Sequence, residues 1–420
     1  MASRERRIEF GVGLLLLLIL VPEQGLAQAA PTYHMTDLGR LAAGTSTNAS
    51  AMNDAGAIVG TAYPSVTSFG NAFEWSGGSL ANVVPTPANG ASYAWSINAA
   101  GKEVGETLDG GLRKGFLRDP SGAITLLPGP SGTSGLVWAH AINDADLIVG
   151  QVTNFPGRPA GYDAAFLQGG IWSLLPRPPT TLGSFVAAAF DVNSSGTIVG
   201  ETTSGSVGAR AFVFENGVMT DLGSLAPTTV SAACAINDAG TIVGVARTAA
   251  GRFDAVMWAG AGRTIVNLRD LLEAQGVIAP TNNAGTIATA INDLGAVVGA
   301  VGTFAGCKKA SNGVPITTAL GISAFLIVGT TAYDLNTQIA SDDPLRPVVT
   351  LKRAVAINNL GQITAIGYDS REGSSIVKSY LLTPVATGPG TPVPSLSSVA
   401  IPLLALSLVA FGLRRAVIAR

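Results

Sequence analysis

The feature that most limits how this chain can fold is a motif that returns seven times. It is clearest as Ala235-Ile236-Asn237-Asp238-Ala239-Gly240-Thr241-Ile242-Val243-Gly244, and its copies centre on Asn53, Asn98, Asn143, Asn193, Asn237, Asn292 and Asn358. Successive asparagines lie 45, 45, 50, 44, 55 and 66 residues apart. A unit of that size suits four short strands better than the shorter helical repeats do. One such unit cannot cover its own apolar faces, so its neighbours in the chain must.

Each copy contains four strand candidates. The first reads Ala72-Phe73-Glu74-Trp75, Ala211-Phe212-Val213-Phe214 or Ala324-Phe325-Leu326-Ile327, and the second follows closely, as in Val218 to Leu222. The third ends in the repeated Asn and the fourth carries Ile-Val-Gly. Four antiparallel strands per unit, repeated seven times, describe the blades of a β-propeller.

The motif itself reads as a turn between the third and fourth strands. In Asn53-Asp54-Ala55-Gly56 the Asn can hydrogen-bond the turn backbone, and the Gly three residues later supplies a left-handed conformation. Six copies have Gly there; Asp146 stands in the seventh, and Asp tolerates that conformation better than most residues. Calcium loops concentrate more oxygen ligands than these turns offer, so the asparagines are read as structural.

Four residues before every Asn stands an Ala (Ala49, Ala94, Ala139, Ala189, Ala233, Ala288, Ala354), and a bulky Met, Ile or Val immediately precedes the Asn. Small and large positions on packed sheets let neighbouring faces interdigitate. The Gly seven after the Asn, replaced only by Ala365, suggests a bulge or a close backbone approach.

The first strand-like segment, Tyr33 to Leu38, is of the second type and the last, Ser379 to Leu382, of the first type. The two would complete one blade and so remove an exposed edge. The fold class expected is therefore all-β: a seven-bladed propeller of four-stranded antiparallel blades over residues 31–386, closed by pairing of the chain ends.

The Ala-Phe strands, the Asp-Leu-Gly and the Ala-Ile-Asn-x-x-Gly-x-Ile-Val-Gly resemble the HAF family of extracellular repeats over Tyr33 to Leu382. That resemblance implies export and repetition but no defined activity. The family's eponymous His is replaced by Asn71, Ala164, Arg210 and Ser323 before the Ala-Phe-type strands, so no role of it carries over.

Both ends of the chain carry apolar segments. Arg4, Arg6 and Arg7 precede a run from Gly11 to Val21, then Pro22 and Ala27-Gln28-Ala29, which reads as a signal peptide over residues 1–30. At the other end a linker and short motif (387–398, with Val393-Pro394-Ser395-Leu396) lead to an apolar stretch from Val399 and to Arg414-Arg415, within a segment spanning 399–420. That order resembles the PEP-CTERM and IPTL-CTERM sorting tails. It implies an exported protein of a Gram-negative bacterium, held at the cell surface or outer envelope, touching membrane only through this tail. The apolar run is shorter than the roughly 20 residues that span a bilayer.

Charge removes one class of partner. The chain has 25 Lys and Arg against 27 Asp and Glu, and the repeat region alone is mildly acidic, with no basic patch to meet phosphates, so nucleic acid is not expected as a partner. Cys234 and Cys307 make no disulfide framework, and the expectation is that they do not pair, one lying in a strand and the other in a loop.

No phosphate loop, nucleophile elbow or zinc spacing is present, and no cofactor, metal or catalytic residue is assigned. His34 and His140 are too far apart in sequence for a local metal pair and read as structural. The carboxylate pairs Asp342-Asp343 and Glu106 with Asp109 stand in no recurring motif.

The insertions Arg269 to Asn283, Gly302 to Ser323 and Asn336 to Lys352 fall on loops that share the face opposite the Asn turns. Variable loops on a repeated scaffold are where recognition concentrates. Lys308, Lys309, Asp342, Asp343 and Arg346 are the candidate ligand contacts. The function expected is recognition or adhesion toward a glycan, a matrix polymer or an envelope protein. The alternatives are a propeller hydrolase or lyase acting on polysaccharide, and a structural envelope component.

Overall fold

A computed structural model describes residues 30–41, 46–63, 70–84, 90–109, 112–130, 136–156, 161–176, 186–204, 208–302, 307, 321–372 and 376–385. The leader, apart from Ala30, and the tail from 386 onward lie outside the described residues.

Every copy contributes an inner, a second, a third and an outer strand, paired antiparallel in that order. In copy five these are Ser231–Ile236, Ile242–Arg247, Phe253–Ala259 and Thr264–Asn267. The inner strand is the one that ends in the repeated Asn. The fold is thus a β-propeller arrangement of small four-stranded antiparallel sheets.

Seven separate sheets were expected, and the structure corrects the count. Five four-stranded sheets stand alone, and copies three and four share one eight-stranded sheet. The join is a single parallel bridge from Tyr162, opening the third strand of copy three, to Val186, opening the inner strand of copy four. In the last sheet Tyr33–Asp37 runs antiparallel to Val377–Pro384, in register from Tyr33 opposite Pro384 to Asp37 opposite Tyr380.

The asparagines do more than cap their turns. The Asn237 Oδ1 accepts the Thr241 amide at 2.8 Å, which closes its own turn. Its Nδ2 donates to the Asn292 carbonyl of the next copy at 3.0 Å. The same cross-link runs from Asn53 to Asn98, Asn98 to Asn143, Asn143 to Asn193, Asn193 to Asn237, Asn292 to Asn358 and Asn358 back to Asn53. Seven buried side chains therefore form an unbroken circle of hydrogen bonds. The left-handed position of each turn is taken by Gly in six copies, such as Gly240 at φ 78°, and by Asp146 at φ 62°.

The repeated Ala and Gly explain how the inner strands come so close. All seven alanines are buried, and six of them pair with the Gly seven after the Asn, as Ala233 does with Gly244. Directly after each Ala, one residue bulges out of register. A Cβ on Gly60, Gly105, Gly150, Gly200, Gly244 or Gly299 would collide with the backbone carbonyl of the residue preceding that Ala. In these six copies bulge and glycine are one device: the bulge brings the carbonyl close, and Gly leaves room for it, while copy seven carries the bulge opposite Ala365. Hydroxyls add a further stitch between copies, with the Ala72, Ala211 and Ala255 amides donating to Ser92, Ser231 and Thr286 of the following inner strand.

One short helix departs from the all-β expectation. Leu268–Ala274 is capped by the Asn267 side chain, which accepts from the Arg269 amide, and buries Leu268, Leu271 and Leu272 against Met257 and Ala259. Arg269 is buried with them, its guanidinium held by Glu273 at 2.8 Å and by the Ala284 and Asn282 carbonyls.

The circle sets a testable ranking. Asn237→Ala removes two buried hydrogen bonds and should cost about 2 kcal/mol, counting the Asn292 carbonyl and Thr241 amide left behind. Asn237→Asp keeps the acceptor but turns a carboxylate oxygen toward the Asn292 carbonyl, so it should be the more destabilising at neutral pH. Urea unfolding of both variants measures the order, and equal stability with the parent would remove the circle from the fold's supports.

Candidate functional site in the central cavity

The inner strands of all seven copies surround a cavity of about 210 Å³. Its lining comes from the last residues of each strand before the Asn, together with Cys307. The bulged residue of each strand, three before the Asn, is Ser50, Trp95, His140, Phe190, Cys234, Thr289 or Val355. No two copies carry the same residue there, although the Ala beside it never changes. His140 is buried, its Nδ1 2.9 Å from the Ala189 carbonyl and its ring 5.8 Å from Phe190, as a packed imidazole would be. Among the described residues no group of three or more His, Cys, Asp or Glu is placed to hold a metal ion.

The two cysteines are bonded to each other, which overturns the expectation that they stay apart. Cys234 is the bulged residue of copy five, and Cys307 follows the second strand of copy six. Cys307 itself is buried in apolar surroundings, packed with Ala188, Phe190, Ala232, Val245, Ile287 and Ala300. Sequence distance hid this, since the partners are 73 residues apart and meet only once copies five and six are side by side. A crosslink closing a loop of that length restrains the unfolded chain by about 4 kcal/mol in the chain-entropy account. Reduction, or Cys234→Ala with Cys307→Ala, should therefore lower the melting temperature clearly; calorimetry with and without reductant tests this.

Eight residues after each Asn, the second strand carries Thr61, Glu106, Gln151 and Glu201 in copies one to four but Val245, Ala300 and Ile366 in copies five to seven. These residues lie opposite inner-strand positions that include Tyr93 and Trp138, on one face of the sheet. The Gln151 amide donates to the Ala187 carbonyl of the next copy at 3.0 Å. Glu106 meets Arg113 at 2.9 Å. Burial pushes the Glu106 carboxyl up to about 7, against the pull of Arg113 and of the Trp95 indole. Glu201 is pushed up to about 7 by burial alone. Half the ring is thus polar at this level, and the other half receives the disulfide.

Glu201 makes stability fall with pH. An unfolded Glu ionises near 4.5 and this one near 7, so between those values the unfolded chain releases a proton that the folded chain keeps. Stability should decline as pH rises through that window and level off above it. Glu201→Gln should gain on the order of 2 kcal/mol at pH 8 and lose that advantage near pH 4.5; melting curves across this range check the sign.

The contact residues read from sequence do not form one group. Lys308 and Lys309 lie outside the described residues. Asp342 and Arg346 are exposed. Asp343 is buried: its carboxylate accepts the Met35 amide at 2.6 Å and the Leu345 amide at 2.8 Å, with His34 Nδ1 at 3.5 Å. Its carboxylate thereby ties the first described strand to the loop before Val349–Ile357. The cavity lining was not singled out from sequence, although the variation at the bulge position beside an unchanging Ala was visible there.

No protein-family model matches the chain, and no curated protein sequence matches it. Among solved structures it is similar to TolB from Acinetobacter baumannii (TM-score 0.39, 11% identity, 79% of this chain and 64% of that one). It is also similar to XC5397 from Xanthomonas campestris, described as a gluconolactonase (0.36, 9%, 84% and 90%). A third is a mutant Aleuria aurantia lectin in complex with α-methyl-L-fucoside (0.35, 11%, 72% and 94%). The chain thus spans 64% of the TolB it matches, and 38% of a puromycin-hydrolysing peptidase from Mycobacterium tuberculosis. Likeness at this level speaks to neither substrate nor partner.

Proposed function

We propose that this chain is an exported, surface-associated recognition module, a propeller of seven blades joined at its chain ends, that binds a glycan, a matrix polymer or an envelope protein. The observation that carries the reading is the contrast between scaffold and lining. The repeated Asn and the Ala four before it are the same in every copy, whereas the five bulged residues that line the cavity, Ser50, Trp95, Phe190, Cys234 and Thr289, are all different. A purely structural ring gains nothing from different side chains at equivalent positions of its lining, whereas a site for one ligand does. The asparagine circle and the pairing of Tyr33–Asp37 with Val377–Pro384 support counting seven blades and a joint between the ends. The leader, the sorting-type tail and the resemblance to the HAF repeats support export and surface retention.

Fractionation of the native organism's envelope should find the full-length chain in membranes, and removal of Val399 to Arg420 should release it; a full-length chain already free in solution would overturn the anchor. On a glycan and polysaccharide array, the chain without residues 387–420 should bind one chemical class. If the loop face takes part, Asp342→Ala and Arg346→Ala should weaken that binding at unchanged melting temperature. Asp343→Ala should instead lower the melting temperature, because it unties Met35. Absence of binding across the array and to envelope extracts would leave the structural-component reading in its place.

A further inference from the structure

Three positions that are apolar in every other copy carry charge where copies one and two meet. The fifth residue after the Asn is Ile in five copies and Val in one, and it faces a Trp, Leu, Phe or Ile of the third strand. In copy two that pair is Glu103, on the second strand Glu103–Asp109, opposite Arg118, on the third strand Leu112–Arg118. The third-strand residue one position earlier is Leu, Phe, Val or Met in six copies, and in copy one it is Glu74, on Asn71–Ser76. The three exceptions meet. Arg118 Nη1 donates to Glu103 Oε1 at 2.5 Å and to Glu74 Oε2 at 3.0 Å, so one guanidinium joins carboxylates from two copies.

The other copies fill these positions with apolar side chains, and the fold therefore does not need the triad. Buried ionic triads are seldom more stabilising than apolar groups of the same size. The charge itself is then what the exception supplies.

Glu103 is buried and its Oε2 has no hydrogen-bond partner, whereas Arg118 and Glu74 both reach solvent. Burial pushes the Glu103 carboxyl up to about 7, against the pull of Arg118 and with Glu74 adding to the rise. With its proton, Glu103 is neutral, Glu74 alone balances Arg118, and a carboxylic O–H can be donated to Glu74. Without it, two carboxylates face one guanidinium and a net negative charge is left in a poorly hydrated joint.

Neighbouring charges are engaged elsewhere. Glu106, three residues on, meets Arg113 at 2.9 Å at the far end of the third strand, where Lys114 also lies. Lys102 meets Asp146 at 2.6 Å, Asp119 accepts the Ser121 and Ala123 amides, and His140 of copy three sits on the Ala189 carbonyl. The inner strand of copy two, Ser92–Ile97, and the second strand of copy one, Ile58–Tyr63, carry no acidic or basic residue. Neither do the stretches 42–45, 64–69, 85–89 and 110–111, which lie outside the described residues. Ser50 and Met52 of copy one and Trp95 and Ile97 of copy two line the central cavity, so the joint borders it.

We propose that the seam between copies one and two is a proton-operated joint, closed while Glu103 shares a proton with Glu74 and parting ahead of the other seams once that proton is lost. It stands or falls separately from what the ring recognises. The sign follows from linkage: a Glu103 released by opening ionises near 4.5, so opening sheds a proton between that value and about 7. The closed seam is favoured at low pH, weakens through this window and changes no further above it.

The experiment follows hydrogen exchange by mass spectrometry on the intact, oxidised chain between about pH 5 and pH 8, corrected for intrinsic exchange rates. Protection of Asn71–Ser76 should fall by about tenfold or more as pH rises, while that of Ser323–Val328 in copy six stays level. Glu103→Gln keeps the shape and an N–H donor toward Glu74 but cannot ionise, and it should abolish the fall at Asn71–Ser76. Glu74→Leu, Glu103→Ile and Arg118→Leu together copy the apolar arrangement of the other copies; this variant should melt no lower than the parent and show no fall either. Level protection of Asn71–Ser76 in the parent, an equal fall in copy six, or an undiminished fall in either folded variant would each overturn the proposal.

Discussion

The rest of the structure depends on one interaction, the circle of seven asparagines. Each side chain spends its oxygen on its own turn and its amide on the next copy, so local turn geometry and the position of the neighbouring sheet are set by the same four atoms. A hydroxyl or a carboxylate could do one of these tasks but not both, since the first lacks the planar pairing of donor with acceptor and the second has no donor. This explains why the position admits only Asn, while the residue beside it can be Asp, Ala, Ser or Asn. It also explains the close approach at the centre, where the invariant Ala and the Gly opposite it leave room for the bulge that aims a variable side chain inward.

The ring so built is uniform in backbone and uneven in chemistry. Copies one to four place polar groups beside the inner strands, and copies five to seven place Val245, Ala300 and Ile366 there. The buried carboxyl of Glu106 and the part-buried one of Glu201 cost stability that an apolar residue would not. Cys307 packs against apolar side chains of copies four to six, Ala188, Phe190, Ala232, Val245, Ile287 and Ala300.

Much of the fold was legible in the sequence because the period, the strand alternation and the turn chemistry all pointed the same way. Asp146 was read as a tolerated substitute for Gly and does adopt the left-handed conformation. The close approach at the Gly seven after the Asn was also legible, since little else accounts for a recurring Gly inside a strand. What remained hidden needed knowledge of which copies touch. The amides of six asparagines could not be assigned partners 44 to 66 residues away, nor that of Asn358 a partner at the other end of the ring, nor could Cys234 be assigned Cys307. Asp343 read as a candidate ligand contact, and only the position of Met35 reveals it as an anchor for the first strand. The merging of copies three and four rests on one backbone bridge, for which no side-chain pattern exists.

The last sheet gives the molecule a mechanical direction. Tyr33 and Pro384 face each other at the same end of two antiparallel strands, so a load applied between the two ends of the ring would strain that single pair first. The hydrogen bonds would then give way one after another rather than together. A domain tethered by its tail and seized near its beginning would peel open at this seam, one hydrogen-bonded pair at a time. Where a partner takes hold thus decides whether the ring behaves as a rigid post or as a zip.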